Sequence, residues 1–332
     1  MTEVWNSRFP FSPFPVGWFQ VGYSHELAVG EARPVQAFGK HMVLYRGESG
    51  KPYLLDAFCP HLGAHLGHGG TVEGESIRCP FHAWRYDCTG ACDEVPYATR
   101  MPSNAKINPW LIQERNGLIM VHHDPSGAAP RFDLPDLPEY QNPEWTEYRT
   151  RVYRIRTHNM EMAENSVDAP HFKYLHKTMT ATCTDARIDG HVFRTHCDVQ
   201  VDLSRWGMGE DTMDGSIDVE THGFGFSVVR LHLAAEVITI ATVTPVDGEW
   251  VDARFAFAVK KFEDPAMTDF IGNQVVDDIQ KQVEEDQRIW ENKIFIDKPI
   301  LCDNDGPIGL YRKWARQFLP VYRADAGSTQ AA

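Results

Sequence analysis

The amino-acid sequence predicts an α+β protein in two parts: an all-β N-terminal domain, then a second domain with a large antiparallel sheet flanked by helices. Three observations predict it. The first third holds short strand-like runs separated by turn residues. A stretch rich in Pro, Gly and Asp, from about residue 124 to 145, marks a boundary. Beyond it, long β-forming runs lead into one long amphipathic pattern that opens at Asp264-Pro265. On this reading residues 1–125 form the first domain, 126–145 a linker, 146–322 the second domain and 323–332 a flexible tail. A chain of 332 residues has room for two cores.

The elements follow in order. After an aromatic, Pro-rich opening (Phe9-Pro10-Phe11-Ser12-Pro13-Phe14-Pro15), Met42-Val43-Leu44-Tyr45 and Tyr53-Leu54-Leu55 are joined by Gly47-Glu48-Ser49-Gly50, a hairpin signal. Leu118-Ile119-Met120-Val121, followed by His122 and His123, reads as the last strand of this domain. Residues 148–157 alternate as a strand, and a helix bearing His171 and His176 follows. Residues 191–193, 216–219, 224–233, 237–243 and 253–259 supply the remaining strands. Asp264 then caps a helix with Pro265 in its first turn. Its apolar stripe runs through Phe270, Ile271, Val275, Ile279, Val283 and Trp290.

Composition excludes several classes. The net charge of −14 argues against nucleic acid, whose phosphates attract a basic face, and suits a partner with a basic docking face. No apolar run reaches the roughly 18 to 20 residues that span a bilayer, and the start lacks the regions of a signal peptide. Seven unevenly scattered cysteines make a poor disulfide framework and fit a reducing, cytoplasmic setting.

Two constellations carry chemistry. The first is Cys59-Pro60-His61, seventeen residues, then Cys79-Pro80-Phe81-His82. Each loop offers one thiolate and one imidazole. Zinc sites normally pair Cys with Cys and His with His. One of each per loop suits a [2Fe-2S] cluster held by two Cys on one iron and two His on the other. His65 and His68 read as loop residues, and Cys88 and Cys92 as free structural thiols. The second is Asn165-Ser166-Val167-Asp168-Ala169-Pro170-His171-Phe172-Lys173-Tyr174-Leu175-His176. Two imidazoles and a carboxylate form the facial triad of non-haem Fe(II) oxygenases. A step of five on an ideal α-helix turns the side chain by about 140°, so His171 and His176 meet one ion only across a π-bulge or kink. Pro170 supplies a cause. On the late helix only Asp286, among Asp277, Asp278, Glu284, Glu285, Asp286 and Glu291, falls on the apolar stripe. A buried carboxylate needs a cation, so Asp286 is the candidate third ligand, with an Arg or Lys partner as the alternative.

These motifs resemble the oxygenase component of the Rieske non-haem iron oxygenases over nearly the whole chain. The Cys-x-His…Cys-x-x-His pattern stands at Cys59, His61, Cys79 and His82, and Asn-x-x-Asp-x-x-His-x4-His at Asn165, Asp168, His171 and His176. The resemblance implies an N-terminal Rieske domain and a helix-grip-like catalytic domain. It also implies a head-to-tail homotrimer, and electrons passed from NAD(P)H through a separate ferredoxin-type or flavin reductase to the cluster. Asp168 would link His171 to His82 of a neighbouring subunit, with simple capping or salt bridging as the alternative. Within the family the steroid branch, 3-ketosteroid 9α-hydroxylase, is the nearest likeness. It rests on Val95-Pro96-Tyr97-Ala98-Thr99-Arg100, Asp286-Gln287-Arg288-Ile289-Trp290-Glu291-Asn292-Lys293 and Tyr311-Arg312-Lys313-Trp314-Ala315-Arg316-Gln317-Phe318. The implied activity is insertion of one oxygen atom of O2 into a small, apolar, steroid-like substrate. Dihydroxylation, demethylation and desaturation use the same two sites and stay open, as does a non-catalytic electron carrier. Phe224, Phe226, Val237 and Ile240 are candidate pocket walls or plain sheet core.

Overall fold

The computed structural model describes residues 8–320, except 178, 203, 205–210 and 234. The expected tail, 323–332, lies outside the described residues. The chain divides into two compact units, one of Phe19–His122 and one that joins the segment up to Trp18 with everything from His123 onward. The opening segment was expected with the first domain. It belongs with the second because its aromatic residues are buried there. Phe11 packs on His158 and Phe295. Val16 N–H donates to the Phe318 carbonyl at 2.8 Å, and Trp18 Nε1–H to that of Phe132 at 2.8 Å.

The Phe19–His122 unit is all β, in three small antiparallel sheets. One has the order β1 (Gly17–Tyr23), β10 (Leu118–His123), β9 (Ile112–Arg115); another is β2 (Ala32–Ala37), β3 (Lys40–Arg46), β4 (Pro52–Asp56). The third is β5 (Thr71–Glu73), β6 (Ser76–Arg78), β7 (Arg85–Tyr86), β8 (Cys92–Glu94). The expected hairpin is β3–β4, with Gly50 at φ 85°, a conformation glycine adopts without penalty. Val43, Tyr45, Leu55, Ile77, Trp84 and Tyr86 make one core that also encloses Cys59 and Cys79.

In the second unit seven antiparallel strands run in the order β11 (Arg149–Ile155), β17 (Val251–Val259), β16 (Glu236–Pro245), β15 (Phe226–His232), β14 (Thr212–His222), β13 (Val192–Asp202), β12 (Met179–Asp189). Helix α1 (Asn159–Glu164) and helix α2 (Pro265–Trp290) share a core with the sheet through Met162, Val283, Trp290, Ile155, Val243 and Val251. Burial of each such side chain is worth about 1.5–3 kcal/mol. Helix α3 (Ile308–Ala315) closes on α1: the Tyr311 hydroxyl donates to the Met160 carbonyl at 3.1 Å, and Arg312 forks onto Glu164 at 2.5 and 2.8 Å. The Asp264 cap is present, accepting the Ala266 N–H at 2.9 Å.

The structure departs from sequence expectation at three further places. Strand β12 was not foreseen; as an edge strand it has no fully buried residue, and its inward-facing positions, Met179, Ala181 and Cys183, are few and mostly small. Phe270 is 46 % exposed, and the buried face of α2 passes through Thr268, Gly272 and Val276 instead. There the first turns lie beside Arg149 of β11, which reaches Asp269 and Asn273 and leaves the phenyl ring outside. Cys183 and Cys197 form a disulfide, Sγ–Sγ 2.13 Å, against the expectation of a chain without one. They stand directly opposite in the β12–β13 ladder, a register that spacing along the chain does not reveal. Cys59, Cys79, Cys88, Cys92 and Cys302 are free.

Candidate active site

Two sites emerge, one in each unit. The first is built from two loops of one plan, between β4 and β5 and between β6 and β7. In each, the cysteine N–H donates to a carbonyl five residues on: Cys59 to Ala64 at 2.9 Å, Cys79 to Trp84 at 2.8 Å. In each, the residue four after the cysteine turns back with positive φ: Gly63 at 77° and Ala83 at 60°. This sends both sulfurs inward, where Cys59 and Cys79 are 2 % and 3 % exposed, and leaves His61 and His82 half-buried at the rim. The two imidazole centroids lie 4.7 Å apart, and His61 stacks on Trp84 at 4.6 Å. Tyr86 places its hydroxyl 3.0 Å from Cys59 Sγ. Burial pushes the Cys59 thiol up, and the Tyr86 hydrogen bond works against that. Paired sulfurs inside and paired imidazoles outside fit the donor set of a [2Fe-2S] cluster of mixed ligation. His65 is a loop residue whose Nδ1 accepts the Gly67 N–H at 3.0 Å.

The second site hangs on a broken helix. After α1 the chain makes a 3₁₀ turn, Asn165–Val167, and breaks at Asp168, φ −93° and ψ 84°. Pro170 opens the next helical turn, where its missing N–H costs nothing. Behind the break Gly306 holds φ 84°; a Cβ there would lie 2.0 Å from the Val167 carbonyl oxygen. Phe172–His176 is then a π-helical turn, closed by the Lys177 N–H on the Phe172 carbonyl. The wider turn does what the five-residue spacing required. His171, His176 and Asp286 bring one ligand atom each to within 4.8 Å of one another.

Hydrogen bonds fix both rings. His171 Nδ1–H donates to the backbone carbonyl of Asp168. His176 Nδ1–H donates to Glu285 Oε2 at 2.9 Å. Each ring therefore turns its Nε2 lone pair inward. His176 Nε2 lies 3.4 Å from Asp286 Oδ1. The Asn165 side-chain amide spans His171 Nε2 at 3.2 Å and Asp286 Oδ2 at 3.0 Å. Burial draws the His171 pKa down, with the Asp168 carbonyl and Asp286 opposing. At His176 burial acts in the same sense, but Asp286 and Glu285 outweigh it and hold the pKa above its ordinary value. Two imidazoles and a buried carboxylate, 6 % exposed for Asp286, fit a hard-to-borderline divalent metal such as Fe(II).

Of the sequence-read residues, the structure gathers Asn165, His171, His176 and Asp286 at one point. The hydrogen bond from His171 to Asp168 runs to the backbone carbonyl, and burial raises the carboxyl of Asp168. Glu285 was read as a flank residue. Its neighbourhood with His176 depends on which side of α2 meets the π-turn, a tertiary fact.

The triad stands at the wall of a cavity of about 260 Å³. The lining is mainly apolar, from Met162 and Trp290 to Ile217, Val229, Leu231 and Ile279. Of the candidate wall residues Phe224 and Val237 line it, while Phe226 and Ile240 do not and are buried core. Period-two alternation sets Val237, Thr239 and Ala241 of β16 toward the cavity and Ile240 away, and Ser227, Val229 and Leu231 of β15 toward it and Phe226 away, while Phe224 lies in the turn before β15.

Comparison with known proteins decides the family. Residues 17–106 match the Rieske [2Fe-2S] domain, and residues 121–319 match the 3-ketosteroid 9α-hydroxylase C-terminal domain. The chain belongs to the Rieske non-haem iron oxygenases. A 3-ketosteroid-9-alpha-monooxygenase oxygenase component from Rhodococcus rhodochrous is 33 % identical over 92 % of this chain and 81 % of its own. Cholesterol 7-desaturase from Bombyx mori is 30 % identical over 94 % of this chain and 71 % of its own. Dicamba monooxygenase shares the fold, with a TM-score of 0.74 at 17 % identity over 91 % of this chain and 96 % of the other. As a Rieske oxygenase component this chain is an enzyme that works with a [2Fe-2S] cluster, mononuclear iron and electrons from a separate reductase. No described helix is long and apolar enough to cross a membrane.

Proposed function

We propose that this oxygenase hydroxylates a steroid-like polycyclic substrate, one atom of O2 entering the product. The observation that carries the reading is the meeting of His171, His176 and Asp286 at the wall of a mainly apolar cavity. Cys59, His61, Cys79 and His82 would hold the cluster, and His171, His176 and Asp286 the mononuclear iron. When bound, these groups supply electron relay and O2 activation. The chain's own residues do the rest. The Asp168 carbonyl and Glu285 fix the two imidazoles. The apolar walls exclude water and orient the substrate against Asn165 and the triad. Asp168 is assigned to connect His171 with His82 of a neighbouring subunit in a head-to-tail trimer. A ferredoxin-type or flavin reductase and a cytoplasmic setting, where NAD(P)H is at hand, belong to the same reading.

The test is product analysis under 18O2 with reductase, NADH and a panel of steroids, bile acids and aromatic acids. A single 18O in a steroid product is expected. Product from aromatic acids alone, or two labelled atoms, refutes the substrate or the monooxygenation. His176→Ala should abolish product while the cluster absorption persists; undiminished product would remove His176 from the site.

A further inference from the structure

The sheet wall of the cavity carries a hydroxyl that the fold does not use. Thr239 of β16 faces the cavity in the row Val237, Thr239, Ala241, Val243. The residue is 9 % exposed, and its hydroxyl has no hydrogen-bond partner among the described residues. That hydroxyl is not walled in by protein and opens onto the cavity. The other neutral polar side chains of the described lining are engaged. Ser166 Oγ–H donates to the Ala163 carbonyl at 2.7 Å, Ser227 Oγ–H to Thr221 Oγ1 at 3.2 Å and Gln282 Nε2–H to Asp278 Oδ2 at 2.8 Å. Asn165 is held between His171 and Asp286.

Threonine differs from valine by a hydroxyl in place of a methyl, and valine stands elsewhere in this row. Both are β-branched and suit a strand equally well, so the strand gains nothing from the hydroxyl. A hydroxyl taken out of water and left without a bond is costly, and a ligand that bonds it removes that cost. Register sets Thr239 apart from the triad. Val243 shares a core with Met162 and Trp290, and Trp290 follows Asp286 by one turn of α2. Thr239 lies four residues back along β16, roughly 13 Å at the rise of a strand.

We propose that the Thr239 hydroxyl anchors a neutral oxygen of the substrate, a ketone or a hydroxyl, on the order of 10 Å from the carbon presented to the triad. It donates to a ketone, and donates to or accepts from a hydroxyl. A ring system with bare hydrocarbon at that end leaves Thr239 unbonded and binds less tightly. In a cavity otherwise lined mainly by apolar groups a flat polycycle can slide or turn end for end; one directional bond to a residue fixed in the sheet sets its register. This rests on the steroid-like reading of the substrate and sharpens it.

The probes are an androstanone with a single ketone and its parent hydrocarbon androstane, each delivered from cyclodextrin. The ketone can reach Thr239 because either end of the nucleus can enter first. Binding to the holoenzyme is measured calorimetrically, with iron and cluster content as controls of integrity, and the ratio of the two affinities is the readout. Thr239→Val should lower that ratio about three- to tenfold, the value of one neutral hydrogen bond, chiefly by weakening the ketone. Thr239→Ser keeps the hydroxyl and should hold the ratio within about twofold of the wild type. A ratio unmoved by Thr239→Val, with both ligands bound, overturns the anchor, leaves the hydroxyl to the fold or to water, and keeps the steroid reading intact. A ratio lost equally in Thr239→Ser overturns the anchor as well. Binding of neither ligand overturns the anchor and the steroid reading together.

Discussion

Glu285 offers the sharpest handle on how the site is held. Its carboxylate takes the Nδ1 proton of His176 at 2.9 Å, and its side chain is only 19 % exposed, so water screens the contact weakly. Hydrogen bonds to a charged partner contribute about 1.5–3 kcal/mol, and neutral ones about 0.5–1.5 kcal/mol. Glu285→Gln keeps an acceptor of the same shape without the charge, a loss of about 1–1.5 kcal/mol and about tenfold in iron affinity. Glu285→Ala removes the acceptor and frees the ring to rotate, which places the loss nearer the hundredfold end of the range for such supporting carboxylates. The assay is anaerobic Fe(II) titration against a chromogenic chelator, with the cluster absorption as an internal measure of fold. The expected order is Glu, then Gln, then Ala, each step resolved. Affinities within twofold across the three proteins would refute the argument that Glu285 orients His176.

Two further perturbations follow from groups outside the triad. Tyr86→Phe removes the hydroxyl 3.0 Å from Cys59 Sγ. That hydrogen bond favours the reduced, more negative cluster by about 1 kcal/mol, so the potential should fall by about 40 mV in a redox titration; an unchanged potential excludes the contact. His158 is a buried neutral ring, with Nδ1 accepting the Met160 N–H at 2.9 Å and Nε2–H donating to the Ser12 carbonyl at 2.9 Å. Burial lowers its pKa from 6.5 to about 4. The unfolded chain takes up this proton first, so stability present above pH 6.5 is lost as the pH falls toward 4, by about 2 kcal/mol at pH 5. His158→Asn, which can still accept the Met160 N–H, should flatten the pH dependence of urea unfolding between pH 7 and 5 by that amount; parallel curves would contradict it.

Much of the architecture was legible because local chemistry and tertiary structure agree. The Asp264-Pro265 cap, the hairpin at Gly47–Gly50 and the α+β class are written in turn residues and periodicity. So is Asp286, a carboxylate on an apolar stripe. The π-turn could be inferred because two histidines five apart are useless to one metal on a regular helix. What stayed hidden depends on partners distant in sequence. Strand β12 gains its place only from β13, and the same pairing brings Cys183 to Cys197. Asp278 and Glu285, seven residues apart on one flank of α2, become a cavity wall and a histidine support only when that flank meets the cavity and the π-turn. The wall candidates Phe224 and Phe226 have the same side chain and part company because Phe224 lies in the turn before β15 and Phe226 on the strand, a boundary the sequence does not mark.

The π-turn makes the metal site a matter of counting. One residue more than a regular turn lies between Phe172 and Lys177, and the Lys177 N–H closes the wider ring on Phe172. Loss of a single codon among Lys173, Tyr174 and Leu175 would leave every donor in the gene and give the turn back its ordinary pitch. His171 and His176 would then stand four residues apart, about 40° around a regular helix and still on one face, whereas one added residue would set them six apart and about 120° off. Substitution removes donors one at a time, with the rest still in place; a frame-preserving insertion turns one imidazole away with every donor still encoded. The sequence between the two histidines thus acts as a spacer whose length is under tighter constraint than its composition, since Lys173 and Tyr174 point to solvent.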